Sequence, residues 1–435
     1  MKRRYMLYPL VFIFMLFFPA VSCSDGNAPE QEAVSGSGTQ TPVPVPEPDP
    51  VPGTDSQIAW QVAEKLGLGW NLGNQMDAHV NGVSSETGWG NPAATQATFD
   101  KVKSAGFSSV RIPVTWLGHI GPAPDYAIDP EWLDRVAELV GYAGNAGLNV
   151  IINMHHDGAD SEHWLNIREA ALDPEKDRQI NEQISAMWTQ IAGKFIDKGD
   201  FLIFEAFNEI HDGGWGWGAN RTDGGKQYAC LNGWNRTFVK AVRAAGGANE
   251  ERYLAVPGYC TNPDLTMEYL ELPEDVVEDR LMVSVHYYDP NEYTLTAKYP
   301  EWGHTAQPGK CAGPDEEEHV KDVFSALHEK FISKGIPVYI GETGCVNRAT
   351  ELEQAFQRYW FEYVLKAAKT YGMSAFVWDN GAKGTGNEQH GFIDHATGEY
   401  CSEPARLAVE TMVRAMNDGD GSYTLETVYD NAPAR

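Results

Sequence analysis

Positive charge is scarce in this chain. Its 435 residues carry 33 Lys and Arg against 61 Asp and Glu, a formal net charge of −28. A phosphate backbone is bound by neutralising it with Lys and Arg, so a nucleic-acid partner is excluded. A basic patch held against an anionic membrane surface is excluded on the same ground. Cysteine is sparse as well, six in all and none at Cys-x-x-Cys spacing, which argues against a structural zinc site. What is abundant is apolar and aromatic material, 42% and 11% of the chain. That share rules out wholesale disorder and is ample for a core. Thirteen Trp and nineteen Tyr are many. Most should be ordinary packing, but flat apolar ligands such as sugar rings come into consideration.

The N-terminus reads as an export signal. Lys2, Arg3 and Arg4 precede an apolar run over 5–21, and this order of a basic and then an apolar region is that of a secretory leader. The run ends at Ala20-Val21-Ser22-Cys23, similar to a bacterial lipoprotein cleavage box, with Ala20 where Leu is usual. Residues 1–22 are expected to be removed, leaving Cys23 lipidated as the sole link to a membrane. A cell-surface or outer-membrane lipoprotein is expected, with plain secretion or a periplasmic location as the alternative. Over 23–56 there is almost no apolar periodicity, and Pro stands at every second position from Pro42 to Pro52. Such a segment makes neither helix nor sheet, and a dozen residues of it extend about 35–40 Å. The five remaining cysteines, Cys230, Cys260, Cys311, Cys345 and Cys401, cannot all pair internally. One or two disulfides would suit an oxidising compartment, with no pairing readable from sequence.

From residue 57 to 435 one catalytic domain is expected, acting as a monomer. Strand-like runs fall at 66–72, 108–114, 148–154, 201–207, 253–256, 281–285, 336–340 and 374–378, several continuously apolar as in strands buried on both faces. Amphipathic stretches at 130–140, 179–195, 234–244, 319–331 and 352–368 lie between them. Eight strands alternating with helices predict an α/β fold, a (β/α)8 TIM barrel. The chain exceeds the usual ~250 residues of that fold, so long βα loops are implied, at 211–233 and 289–314. A doubly wound sheet is disfavoured because no dinucleotide-type glycine turn follows the first strand.

Chemistry in such a barrel belongs to the C-terminal strand ends. Those positions hold Asn74 and Asp77, then Arg111, then His155, His156 and Asp157. Asn208 and Glu209 follow the fourth run, His286, Tyr287 and Tyr288 the sixth. Glu342 follows the seventh, and Trp378, Asp379 and Asn380 the eighth. Glu209 and Glu342 face each other across the mouth, as glycoside hydrolysis requires, with one carboxyl protonated and the other ionised. Arg111 and Tyr288 can hold Glu342 ionised, Asn208 can bond a sugar hydroxyl, and Trp378 offers a ring face. A divalent metal site from His155, His156, Asp157, His286 and Asp379 is the rival chemistry. It is disfavoured because neighbouring residues on a strand point to opposite faces. No Lys ends a strand, which argues against Schiff-base chemistry.

The motifs that carry these residues resemble glycoside hydrolase family 5, most closely its subfamily 4 of endo-β-1,4-glucanases and xyloglucanases. They are Gly69-Trp-Asn-Leu-Gly-Asn74 with Asp77, Glu86-Thr-Gly-Trp-Gly-Asn-Pro92, Gly106-Phe-Ser-Ser-Val-Arg-Ile-Pro-Val-Thr-Trp116 and Val150-Ile-Ile-Asn-Met-His-His156. Phe204-Glu-Ala-Phe-Asn-Glu209, Val283-Ser-Val-His-Tyr-Tyr288, Ile340-Gly-Glu342 and Val377-Trp-Asp-Asn-Gly381 complete the set. The resemblance implies Glu209 as acid/base and Glu342 as nucleophile of a double displacement, with carboxyls about 5–5.5 Å apart. It implies a β-glucan substrate (cellulose-like, xyloglucan or mixed-linkage), no metal and no cofactor. Substrate contacts are expected from Asn74, Arg111, His155, His156, Asn208, His286, Tyr288, Trp302 and Trp378. At least one of Trp215, Trp217 and Trp302, in the two long loops, is expected to stack on sugar. Ile210-His211 stands where the family usually has Pro, and Thr343 where Phe or Tyr is common. A non-catalytic glycan-binding lipoprotein is the alternative from another functional class.

Overall fold

The computed structural model describes residues 57–434. The leader, Cys23 and the proline-rich spacer lie outside the described residues. Eight parallel strands close into a barrel in chain order. They are β1 (Leu68–Leu72), β2 (Ser109–Ile112), β3 (Asn149–Ile152), β4 (Leu202–Glu205), β5 (Leu254–Pro257), β6 (Leu281–Tyr287), β7 (Val338–Thr343) and β8 (Ser374–Asp379). β1 closes the ring on β8, from Leu68 beside Ala375 to Leu72 beside Asp379. A helix follows each strand, among them Pro130–Asn145, Pro174–Lys194, Lys226–Ala244 and Glu351–Thr370. The expected barrel is therefore the observed one.

Helix starts follow local chemistry. Pro130 and Pro174 open their helices behind Asp129 and Asp173, whose carboxylates accept the amides of Glu131 and Glu175. Thr350 and Glu353 form a reciprocal capping box. The helix expected from 234 begins at Lys226. Its first two turns mix polar with apolar residues and bury Gln227 and Asn232 beside Tyr228 and Leu231, so they carry little amphipathic signal.

Two apolar layers hold the barrel. Outward residues such as Ile152 and Phe204 pack with Trp188 and Phe238 under the helices. Inward residues Ile151, Ile203, Ala255, Met282, Tyr339 and Phe376 fill the lower barrel. Higher in the barrel, inward positions on β1, β2, β4 and β6 become polar: Asn71, Arg111, Glu205 and Ser284 are fully buried. β6 and β7 run past their expected ends because His286, Tyr287, Glu342 and Thr343 keep pairing after the apolar run stops.

β7 carries the one irregularity that matters for chemistry. Val285 pairs with Ile340, but the next residue, His286, pairs with Glu342, leaving Gly341 as an extra residue. Strict alternation from Tyr339 would turn Gly341 inward and Glu342 outward. The bulge resets the alternation so that Glu342 faces the interior. A side chain at Gly341 would lie 3.0 Å from Ser284 Oγ and 3.1 Å from His286 Nε2, so glycine suits this close approach.

Candidate active site

The polar layer above the barrel core is organised by one arginine. Arg111 Nε donates to Glu205 at 2.6 Å, and Nη1 donates to Glu342 at 2.7 Å and to Asn71 at 3.0 Å. Nη2 donates to Asn208 at 2.8 Å. Glu205 is anchored in turn by the Ser284 hydroxyl at 2.7 Å, and Asn71 by donation to the Gly341 carbonyl at 3.0 Å. Burial opposes the arginine's charge, but the Glu205 and Glu342 carboxylates outweigh it and raise its pKa.

Glu342 receives a second donor, the Tyr288 hydroxyl at 3.2 Å. Glu209 has a different partner, His286 Nδ1 at 2.7 Å, with Glu342 at 3.8 Å from the same nitrogen. One donor atom from each of Glu209, His286 and Glu342 lies within 4.8 Å of the others. Two carboxyls that close cannot both ionise cheaply. Burial pushes the Glu342 carboxyl up, against the charges of His286 and Arg111. Burial also presses Glu209 upward, but the hydrogen bond and charge of His286 pull it below its ordinary value.

His155 stands on the other side of Glu342, its Nε2 3.8 Å from the carboxylate. Burial, His156, Arg111 and His286 all lower its pKa, so it is neutral near pH 7. Its tautomer is set: Asn153 Oδ1 accepts the Val114 amide, so Asn153 Nδ2 donates to His155 Nδ1 at 3.2 Å. Nε2 therefore carries the proton and is free to donate to a sugar hydroxyl. Trp378 lies parallel to the His155 ring at 6.1 Å. Gly73 touches the Trp378 indole, where a Cβ would come within 2.9 Å. Asn74 follows in a left-handed turn at φ +56°, its amide held by Asp77 Oδ2 at 3.1 Å.

The structure thus joins Arg111, His155, Asn208, Glu209, His286, Tyr288, Glu342 and Trp378 at one barrel mouth, with Asn74 beside them. His156 is present too. The expectation that adjacent histidines face opposite ways does not apply, because β3 ends at Ile152 and the two rings lie 4.4 Å apart. Trp302 is a correction. It is fully buried against Tyr359 and Tyr363 of the Glu351–Thr370 helix, because its loop folds down over apolar helix surface. No face is left for a sugar. Asp157 and Asp379 are also removed from the cleft. Asp157 accepts from Trp164 and the Trp116 amide, and Asp379 from Trp70 and the amides of Phe392 and Ile393. The five described cysteines are all free, so neither disulfide considered above is formed.

Sequence reasoning assigned no role to Glu205, Asn71 or Trp89. A lone charge or amide inside an apolar strand was the signal for the first two. Trp89 lies in a quoted motif; its exposed indole covers His79 and His156 at 5.6 and 5.5 Å, and its Nε1 donates to the His79 carbonyl.

Among the described residues, two sets of donors are close enough for an ion: Glu209 with His286 and Glu342, and Asp77 with His155 and His156. In the second, the Asn153 bond leaves His155 Nε2 protonated and Nδ1 occupied, so His155 offers no lone pair. In the first, an ion would consume the lone pairs of both carboxylates.

A family model described as "Cellulase (glycosyl hydrolase family 5)" matches residues 73–384. The chain is 36% identical over 354 residues to an "Endoglucanase A" of Paenibacillus barcinonensis, covering 78% of this chain and 85% of that one. A "broad specificity endoglucanase" of subfamily 4 from Bacteroides salanitronis superimposes with a TM-score of 0.81 at 58% identity, covering 84% of this chain and 96% of that one. A Bacteroidetes-affiliated family 5 cellulase, linked with a polysaccharide utilization locus, gives a TM-score of 0.84 at 51% identity over 86% and 97% of the two chains. With the motifs in order and the paired carboxylates at the barrel mouth, this chain belongs to glycoside hydrolase family 5 and, within it, to subfamily 4.

Proposed function

We propose that this glycoside hydrolase is a retaining endo-β-1,4-glucanase, cutting internal bonds of cellulose-like, xyloglucan or mixed-linkage chains by double displacement. The observation that carries the reading is the pairing of Glu209 with Glu342, oxygens within 4.8 Å. That nearest approach fits the pair about 5–5.5 Å apart of a retaining enzyme better than the pair about 6.5–9.5 Å apart of an inverting one, which leaves room for a water.

The unequal partners assign the roles. Glu342 is fixed by Arg111 and Tyr288, both donors that favour its ionised form, and so serves as the nucleophile. Glu209 lies 2.7 Å from His286 Nδ1, which lowers its pKa in the free enzyme; as the acid/base it takes up a proton when substrate enters and gives it to the leaving oxygen. The C1–O bond breaks as a Glu342 oxygen bonds C1, and the departing sugar takes the proton. Glu209 then draws a proton from water, whose oxygen displaces Glu342 from C1. Asn208, held by Arg111, keeps its Nδ2 for a sugar hydroxyl, His155 donates through Nε2, and Trp378 supports the ring.

Hydrolysis of barley glucan, xyloglucan, carboxymethylcellulose, mannan and xylan, with product sizes and the first anomer followed by NMR, tests this. A rapid fall in chain length with β-anomer formed first is expected. Release of monosaccharide alone, or α-anomer first, would overturn it.

Lipidation at Cys23, a cell-surface location and a monomeric state belong to the same proposal. The first two are supported by the basic and apolar leader and the proline-rich spacer. No helix among the described residues is long and apolar enough to cross a membrane. Cys23→Ser should move the enzyme from the membrane fraction to the soluble one.

A further inference from the structure

The loop after β4 displays two tryptophans to solvent, Trp215 at 56% exposure and Trp217 at 80%. Exposing two large apolar rings side by side calls for a use. The loop is not a loose tether. Asp212 accepts the amides of Gly214 and Asn220 and the side chain of Gln227. Asn220 Nδ2 and Arg221 Nε both donate to the Gly216 carbonyl at 3.0 and 2.7 Å. Trp215 is held at φ +49°, with Gly213 and Gly216 of the same turn also left-handed, a conformation costly for a bulky residue unless its surroundings impose it.

One face of the Trp215 ring is already occupied. It lies on His211, centroids 4.2 Å apart. The His211 ring is itself fixed, because its Nδ1 accepts the Gly213 amide at 3.1 Å and its Nε2 faces Asp160 Oδ1 at 3.2 Å. His211 is two residues from Glu209, in the Ile210-His211 pair that stands where the family usually has Pro. A half-exposed indole is thus backed by His211, whose charge in turn reaches the acid/base Glu209.

The position around the barrel selects the end of the substrate. Trp378, Asn74, His155, His156 and Trp89 cluster at the mouths of β8, β1 and β3. Glu209 on β4 and Glu342 on β7 divide the ring of strands, with β8, β1, β2 and β3 on one side and β5 and β6 on the other, so a chain lying between the carboxyls would run from the first set towards the second. The proton from Glu209 goes to the departing half. We propose that Trp215 is the stacking platform for the leaving-group sugar, so that the His211-backed loop sets the aglycone half of the cleft. This rests on the glucanase reading above. Trp217, backed by the Arg221 guanidinium at 4.6 Å, lies further along the same loop.

The test compares two substrates of the full enzyme. Cellotriosyl fluoride has no aglycone sugar, whereas β-glucan fills both halves. Trp215→Ala and Trp215→Leu should each lose about tenfold more kcat/KM on β-glucan than on the fluoride, mainly through KM, whereas Trp215→Phe keeps the parent ratio. Transfer of the glycosyl group from the fluoride to added cellobiose should fall in the Ala and Leu variants, because the acceptor uses the same half-site. The leucine variant keeps apolar bulk if alanine unfolds the loop. An unchanged substrate ratio with unchanged transfer in both variants would overturn the platform. A parent enzyme that consumes the fluoride but leaves β-glucan intact would overturn the glucanase reading instead.

Discussion

Arg111 Nη1 lies 2.7 Å from Glu342 Oε1 while Nη2 of the same guanidinium lies 2.8 Å from Asn208 Oδ1, the residue before Glu209. One planar cation therefore spaces the two halves of the catalytic pair. Its geometry is imposed from behind by Glu205 and Asn71. Lysine could not reproduce it, since an ammonium is a point donor and the arginine makes four directed bonds.

Arg111→Lys should therefore cost more than a charge-conserving change suggests. Lysine keeps the charge but not the four directed bonds, and buried acceptors left without donors are costly, so the melting temperature should drop clearly. The activity lost should appear in kcat, because Glu342 and Asn208 both lose their spacer. Calorimetry and steady-state kinetics check this. A variant with the parent's kcat would refute the spacing role.

Replacing the carboxylates should separate their roles. Glu342→Gln is expected to lose turnover by about a thousandfold or more while still retarding in a β-glucan affinity gel. Glu209→Ala should be slowed much less on substrates whose leaving group needs no proton, and added azide should be incorporated as a β-glycosyl azide. Unchanged turnover in Glu342→Gln would sink the assignment.

The acid limb of kcat/KM should lie above the ordinary glutamate value of 4.5, because burial raises the Glu342 carboxyl and attack requires it ionised. Activity is then lost as pH falls through that raised value. Tyr288→Phe removes a hydroxyl that donates to the ionised form, so the acid limb should move to higher pH. No movement, or movement downward, would contradict the role given to Tyr288.

Stability has its own pH signature at Asp157. Burial pushes this carboxyl up to about 7 from a reference of 3.8, against bonds from Trp164 and the Trp116 amide. The folded state then keeps a proton that the unfolded chain releases. The stabilisation is complete below about 3.8 and is lost as pH rises through about 7. Asp157→Asn cannot ionise, so its decline in unfolding free energy over that window should be shallower than the parent's. Urea melts at the two ends of the window decide; parallel declines would count against the assignment.

Much of the site was legible because barrel chemistry sits where apolar runs stop. Glu209, His286, Tyr288 and Trp378 could be found by reading strand ends, and strand-helix alternation with ordered motifs supplied the fold. Trp302 misled because a tryptophan in a long loop looks the same in sequence whether it faces sugar or helix. Only its packing on Tyr359 and Tyr363 distinguishes the two. Glu205 was passed over because its partners lie on β2 and β6, remote in sequence.

The chain's sequence alone determined the alternation of strand and helix, the paired glutamates and the excess of acids over bases, since these follow from periodicity, spacing and composition. Tertiary structure decided which way the groups face. By alternation from Tyr339, Glu342 should point away from the cleft. It points in because β7 holds one residue more than β6 at Gly341. That extra residue exists only in the pairing of two strands separated by a helix and a long loop, so no local pattern in either strand could reveal it.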